Sequence, residues 1–132
     1  MSASGIDHVN ILTDDLEATV AFYEQVLELS RGKSPAQVRG LEGAWMLNSE
    51  GNALVHLIGN APGLSLGVGR TPGQSTNAVH HVAFRCSGFA QTQARLTALG
   101  LDFQVNDGLF GLRQIMVQDP NAVSVEMNFT GE

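Results

Sequence analysis

Three histidines and a glutamate stand at repeat-related places in a chain of 132 residues: His8, His56, His81 and Glu126. Neutral imidazole nitrogens joined to one carboxylate are borderline ligands. They suit a single divalent ion of iron, nickel, zinc, cobalt or manganese, and the set holds no thiolate that would select a softer metal. Four protein ligands on an octahedral ion leave two open positions, enough for a bidentate substrate or two waters. A lone histidine in a strand is ordinarily a hydrogen-bonded residue rather than a ligand. Equivalence within a duplicated unit is what singles these four out.

The duplication is read directly. Gly5–Ile11 matches Ala78–Phe84 at an offset of 73 (81 − 8), and Ala53–Ile58 matches Val123–Asn128 at an offset of 70 (126 − 56). Gly43–Asn48 also aligns with Arg113–Gln118 at the second offset. The ends of each copy alternate as strands do, so His8 shares a face with Ile6 and Asn10, and Glu126 with Ser124 and Asn128. The opposite faces, Val9/Ile11 and Val125/Met127, are apolar and should lie beneath helices. The same alternation turns His80, beside His81, to the other face, so it is not expected to bind metal.

Between those strands the first copy carries capping oxygens at Thr13-Asp14-Asp15, then Leu16, Val20, Tyr23, Val26 and Leu27 at helical spacing, predicting a helix from about Leu16 to Leu29. Strands are expected around Gln37–Arg39, Ala44–Leu47 and Ala53–Ile58, with a turn over Asn48–Asn52. The second copy has a strand at Val79–Arg85 and a helix from Phe89 to about Leu99, with Phe89, Leu96 and Leu99 on its core side. Strands near Leu101–Val105, Arg113–Val117 and Val123–Phe129 follow, and Asp119-Pro120-Asn121 forms the last turn. The order is βαβββ twice, an α+β domain over 1–132: module one about 5–58, a Gly- and Pro-rich linker loop at 59–77, and module two about 78–130.

Composition narrows the function. A net charge of −6 with scattered Lys and Arg argues against nucleic acid as a partner. No apolar run approaches the roughly 20 residues that span a bilayer, and the N-terminus lacks the pattern of a signal peptide. Cys86 is the single cysteine, which points to a reducing, cytoplasmic setting. Open module edges invite pairing, so a homodimer is expected.

The chain resembles the vicinal oxygen chelate superfamily, which includes glyoxalase I, extradiol dioxygenases, methylmalonyl-CoA epimerase and the fosfomycin- and bleomycin-resistance proteins. The resemblance rests on Asp7-His8-Val9, Ala21-Phe22-Tyr23 with Val26-Leu27, Val55-His56-Leu57, His81-Val82-Ala83-Phe84, and Asp119-Pro120 before Val123–Phe129. Leu29-Ser30 and Asn121-Ala122 depart from the family's usual glycine-bearing turns. It implies two βαβββ modules forming a curved mixed sheet around a central metal-binding cavity, with His8, His56, His81 and Glu126 as ligands. The activity it best fits is a glyoxalase-type lyase or isomerase acting on a small substrate, with Glu126 as both ligand and general base. One alternative is an extradiol-type iron dioxygenase, using His8, His81 and Glu126 as a 2-His-1-carboxylate face. Another is a non-catalytic binding protein for a drug or antibiotic, with Trp45, Phe84, Phe103, Phe110 and Met116 as candidate cavity residues. Fosfomycin inactivation ranks last, because it calls for a cationic phosphonate pocket.

Overall fold

The computed structural model describes residues 2–33, 41–60, 70–109 and 111–130. The expected strand at Gln37–Arg39, positions 61–69 of the linker and Phe110 lie outside them. The chain divides into two compact units, Met1–Pro72 and Gly73–Glu132, and the division falls inside the linker loop expected at 59–77.

In the first unit, β1 (Val9–Thr13) leads through α1 (Leu16–Leu27) to β2 (Ser30–Lys33), β3 (Gly43–Leu47) and β4 (Ala53–Gly59). The sheet order is β1-β4-β3-β2, with β1 parallel to β4 and the other pairs antiparallel. Helix α1 starts where Asp15 Oδ1 accepts the Ala18 N–H at 3.0 Å, as expected of a carboxylate at a helix N-terminus. It ends at Glu28, which takes the left-handed conformation at φ 55. That residue lies just before the Leu29-Ser30 pair, where the usual family glycine is absent. Val20, Tyr23 and Val26 are buried on α1, as are Ala44, Met46, Val55 and Leu57 on the sheet face it packs against. Burial of each such large apolar side chain contributes about 1.5–3 kcal/mol.

The second unit repeats the plan: β5 (Val82–Cys86), α2 (Phe89–Ala98), β6 (Phe103–Leu109), β7 (Leu112–Gln118) and β8 (Ser124–Phe129), in the order β5-β8-β7-β6. Phe89 meets Phe129 edge-on at 5.4 Å, and Thr92 and Leu96 are buried beside it. Leu99 departs from expectation and is 38% exposed. The helix stops at Ala98, so helical spacing no longer aims the Leu99 side chain at the core. The last turn is tied by Asp119 Oδ1, which accepts the N–H groups of Asn121 and Val123 at 2.8 and 2.9 Å.

Strand register corrects one sequence match. Trp45 sits opposite His56, and Met116 sits opposite Glu126. The third strand of the first copy therefore corresponds to that of the second at an offset of 71 (116 − 45), not 70. The cause is a register shift in the β3–β4 pairing. Met46 faces Val55 but Leu47 faces Ala53, which leaves Leu54 as an extra residue. A one-residue slip exchanges the two faces of a strand, so the uncorrected match would equate solvent-side Trp45 with core Ile115.

Candidate metal centre

Each unit brings together two of the four expected ligands. In the second, register puts Ala83, Glu126, Met116 and Gln104 on one face, away from the apolar side carrying Ile115, Val117, Val125 and Met127, all buried. His81 directly precedes β5, and its Nε2 lies 3.2 Å from Glu126 Oε2. The other carboxylate oxygen is held: Gln114 Nε2 donates to Glu126 Oε1 at 3.0 Å and to Asn128 Oδ1 at 3.0 Å. Asn106 Nδ2 in turn donates to Gln114 Oε1 at 3.1 Å. This polar chain across three strands offsets the desolvation of a carboxylate whose side chain is only 13% exposed. It also leaves Oε2 directed at His81.

In the first unit His8 directly precedes β1, and Asn10, two residues on, pairs with His56 on β4. The His8 and His56 ring centres are 6.1 Å apart. Trp45 stacks on His56 at 4.1 Å and 18°, and meets His8 edge-on at 4.8 Å. Burial, and secondarily the neighbouring His8, lower the pKa of His56. The ring therefore stays in the neutral form that metals require. His8 Nδ1 lies 2.7 Å from Asp7 Oδ1. A carboxylate only accepts, so Nδ1 carries a proton, and in the neutral ring Nε2 is left as the lone pair.

The His81 and Glu126 donor atoms fit a divalent ion. Two ligands each about 2.0–2.2 Å from one ion and at right angles lie about 3 Å apart, close to the spacing of His81 Nε2 and Glu126 Oε2. Among the described residues no three His, Cys, Asp or Glu side chains gather as a ready metal cluster; the ligand candidates come as pairs.

Sequence reasoning missed three participants. Gln114 holds Glu126, yet its structural counterpart in the first unit is Gly43, so the repeat gave no signal for it. Asp7 was legible only as a neighbour of His8. His80 does not turn away as alternation predicts: its Nδ1 is 2.9 Å from His81 Nδ1. The strand begins only at Val82, so period-two alternation does not govern residue 80. An open groove of about 730 Å³ lies on this unit, with His80, Leu101, Phe103, Gln104, Met116 and Ser124 in its wall.

The family model described as the Glyoxalase/Bleomycin resistance protein/Dioxygenase superfamily matches residues 5–127. No curated protein matches the chain by sequence. Solved structures resemble it in fold at low identity. A glyoxalase family protein from Bacillus anthracis is 18% identical with a TM-score of 0.74, covering 99% of this chain and 98% of that one. A glyoxylase/bleomycin resistance protein/dioxygenase domain from Frankia sp. EAN1pec is 19% identical with a TM-score of 0.72, covering 99% and 95%. A mutant of the fosfomycin resistance protein FosX from Listeria monocytogenes, complexed with Mn(II) and 1S,2S-dihydroxypropylphosphonic acid, is 17% identical with a TM-score of 0.73, covering 98% and 95%.

Proposed function

Because the chain belongs to the Glyoxalase/Bleomycin resistance protein/Dioxygenase superfamily, we propose that it is a divalent-metal-dependent lyase or isomerase whose small substrate chelates through adjacent oxygens. His8, His56, His81 and Glu126 are the ligands in this reading. The observation that carries it is the pairing of His81 Nε2 with Glu126 Oε2 at 3.2 Å, backed by Gln114 on the far oxygen. Mn(II) in the FosX relative is of the class that imidazole and carboxylate ligands take.

A bound divalent ion supplies Lewis-acid polarisation of the substrate oxygens. The chain supplies the rest. Glu126 serves as general base, its basicity restored when it is displaced from the ion, while Gln114 keeps the carboxylate from rotating. Asp7 presents His8 in the right tautomer. His56 stays neutral in its stack with Trp45.

Two features favour this reading over the dioxygenase and phosphonate alternatives. An extradiol dioxygenase benefits from a tyrosine beside the bound catechol. The chain's one tyrosine, Tyr23, is fully buried against Phe22 in the helix-packed core. A phosphonate substrate needs cations, and two of the chain's seven Lys and Arg residues are already taken, Arg31 by Glu17 and Arg113 by Asp107.

The test is turnover by metal-loaded protein on a panel of small substrates with adjacent oxygens, beginning with the methylglyoxal–glutathione hemithioacetal. Conversion that Glu126→Gln abolishes supports the reading. Oxygen uptake with catechols under Fe(II), and no conversion elsewhere, would replace it with the dioxygenase.

A further inference from the structure

Asp7 and His80 occupy the same place in the two copies, one residue before the histidine that leads into the first strand. Each touches the Nδ1 atom of that histidine. Asp7 Oδ1 is 2.7 Å from His8 Nδ1, and His80 Nδ1 is 2.9 Å from His81 Nδ1. We propose that Asp7 and His80 are repeat-equivalent positioning residues that set which nitrogen of His8 and of His81 is offered to a metal. This rests on the metal reading above and goes beyond its four ligands.

The two contacts differ in chemistry. A carboxylate can only accept, so His8 keeps a proton on Nδ1 whether or not an ion is present, which leaves Nε2 as the nitrogen to offer. A neutral imidazole both donates and accepts, so His80 can serve His81 in either tautomer. Without an ion, the 3.2 Å approach of His81 Nε2 to Glu126 Oε2 places the proton on Nε2, where it donates to the carboxylate. His81 Nδ1 is then a lone pair, and the His80 Nδ1–H donates to it. With an ion on Nε2, the His81 proton sits on Nδ1 and donates to His80 Nδ1, while His80 carries its own proton on Nε2. The His81–Glu126 pair is thus satisfied in the metal-free chain and still convertible to a ligand pair. A carboxylate at position 80 could not support both arrangements.

The experiment uses the whole chain labelled with 15N-histidine, Zn(II) as a diamagnetic probe, and a competing chelator to read affinity. In the wild type, two-bond 15N–1H spectra should show His8 protonated on Nδ1 with and without zinc. His81 should move from the Nε2–H to the Nδ1–H tautomer on loading. His80→Ala should weaken zinc about 10- to 100-fold. His80→Asp should restore the affinity while keeping a proton on His81 Nδ1 even without zinc. A His80→Ala protein that binds zinc as tightly as the wild type, or a His81 tautomer that does not change on loading, overturns this proposal alone. A wild type that takes up no zinc overturns the metal reading, and this proposal with it.

Discussion

Gln114 on β7 reaches across to β8 and donates to Glu126 Oε1 at 3.0 Å, while Glu126 Oε2 faces His81 Nε2 at 3.2 Å. One carboxylate therefore has a fixed oxygen and a working oxygen. Partners that orient a ligand are ordinarily worth one to two orders of magnitude in metal affinity.

Replacing that amide tests the division of labour. Gln114→Leu should keep the fold, because position 114 is on the polar face and not among the buried core residues. It should weaken binding of a divalent ion by about tenfold or more, as read by isothermal titration calorimetry. Unchanged affinity would show that Glu126 needs no such support.

The last turn carries strain that a glycine would relieve. Ala122 sits at φ 64, a left-handed conformation costing an L-residue about 1–2 kcal/mol. Glycine returns part of that gain as unfolded-chain entropy. Ala122→Gly should therefore stabilise the protein by about 0.5–1 kcal/mol in urea unfolding, with metal affinity unaltered.

Much of this was legible beforehand. Asp15 acts as the expected cap, and both copies show the βαβββ order. What escaped has physical causes. The extra residue at Leu54 shifts one strand's correspondence by a single position, and composition carries no mark of where such an insertion falls. His80 lies just outside a strand whose start is set by pairing rather than by its own residue type. Gln114 acts across strands, a relation that spacing along the chain does not reveal.

Cys86 should be a poor nucleophile. Burial pushes its thiol up to about 11 from 9.0, outweighing the opposing effect of Arg95. Its Sγ rests 3.7 Å from the Phe84 carbonyl oxygen. At pH 8 the thiolate fraction is then about a hundredfold below that of an unperturbed thiol, and labelling by a disulfide reagent should slow in proportion. Above pH 9 the unfolded chain loses a proton that the folded chain keeps, so stability is intact below 9 and falls as pH rises from 9 towards 11. A Cys86→Ala protein should lack that alkaline decline in its urea midpoint.

The most direct test of the central claim is metal content by inductively coupled plasma mass spectrometry. It would be run on protein purified without tag or chelator, beside a His81→Ala/Glu126→Ala variant. The account predicts near-stoichiometric divalent metal in the wild type and its loss in the variant. A wild type without metal even after reconstitution, or a variant that retains it, would contradict the assignment of these side chains as ligands.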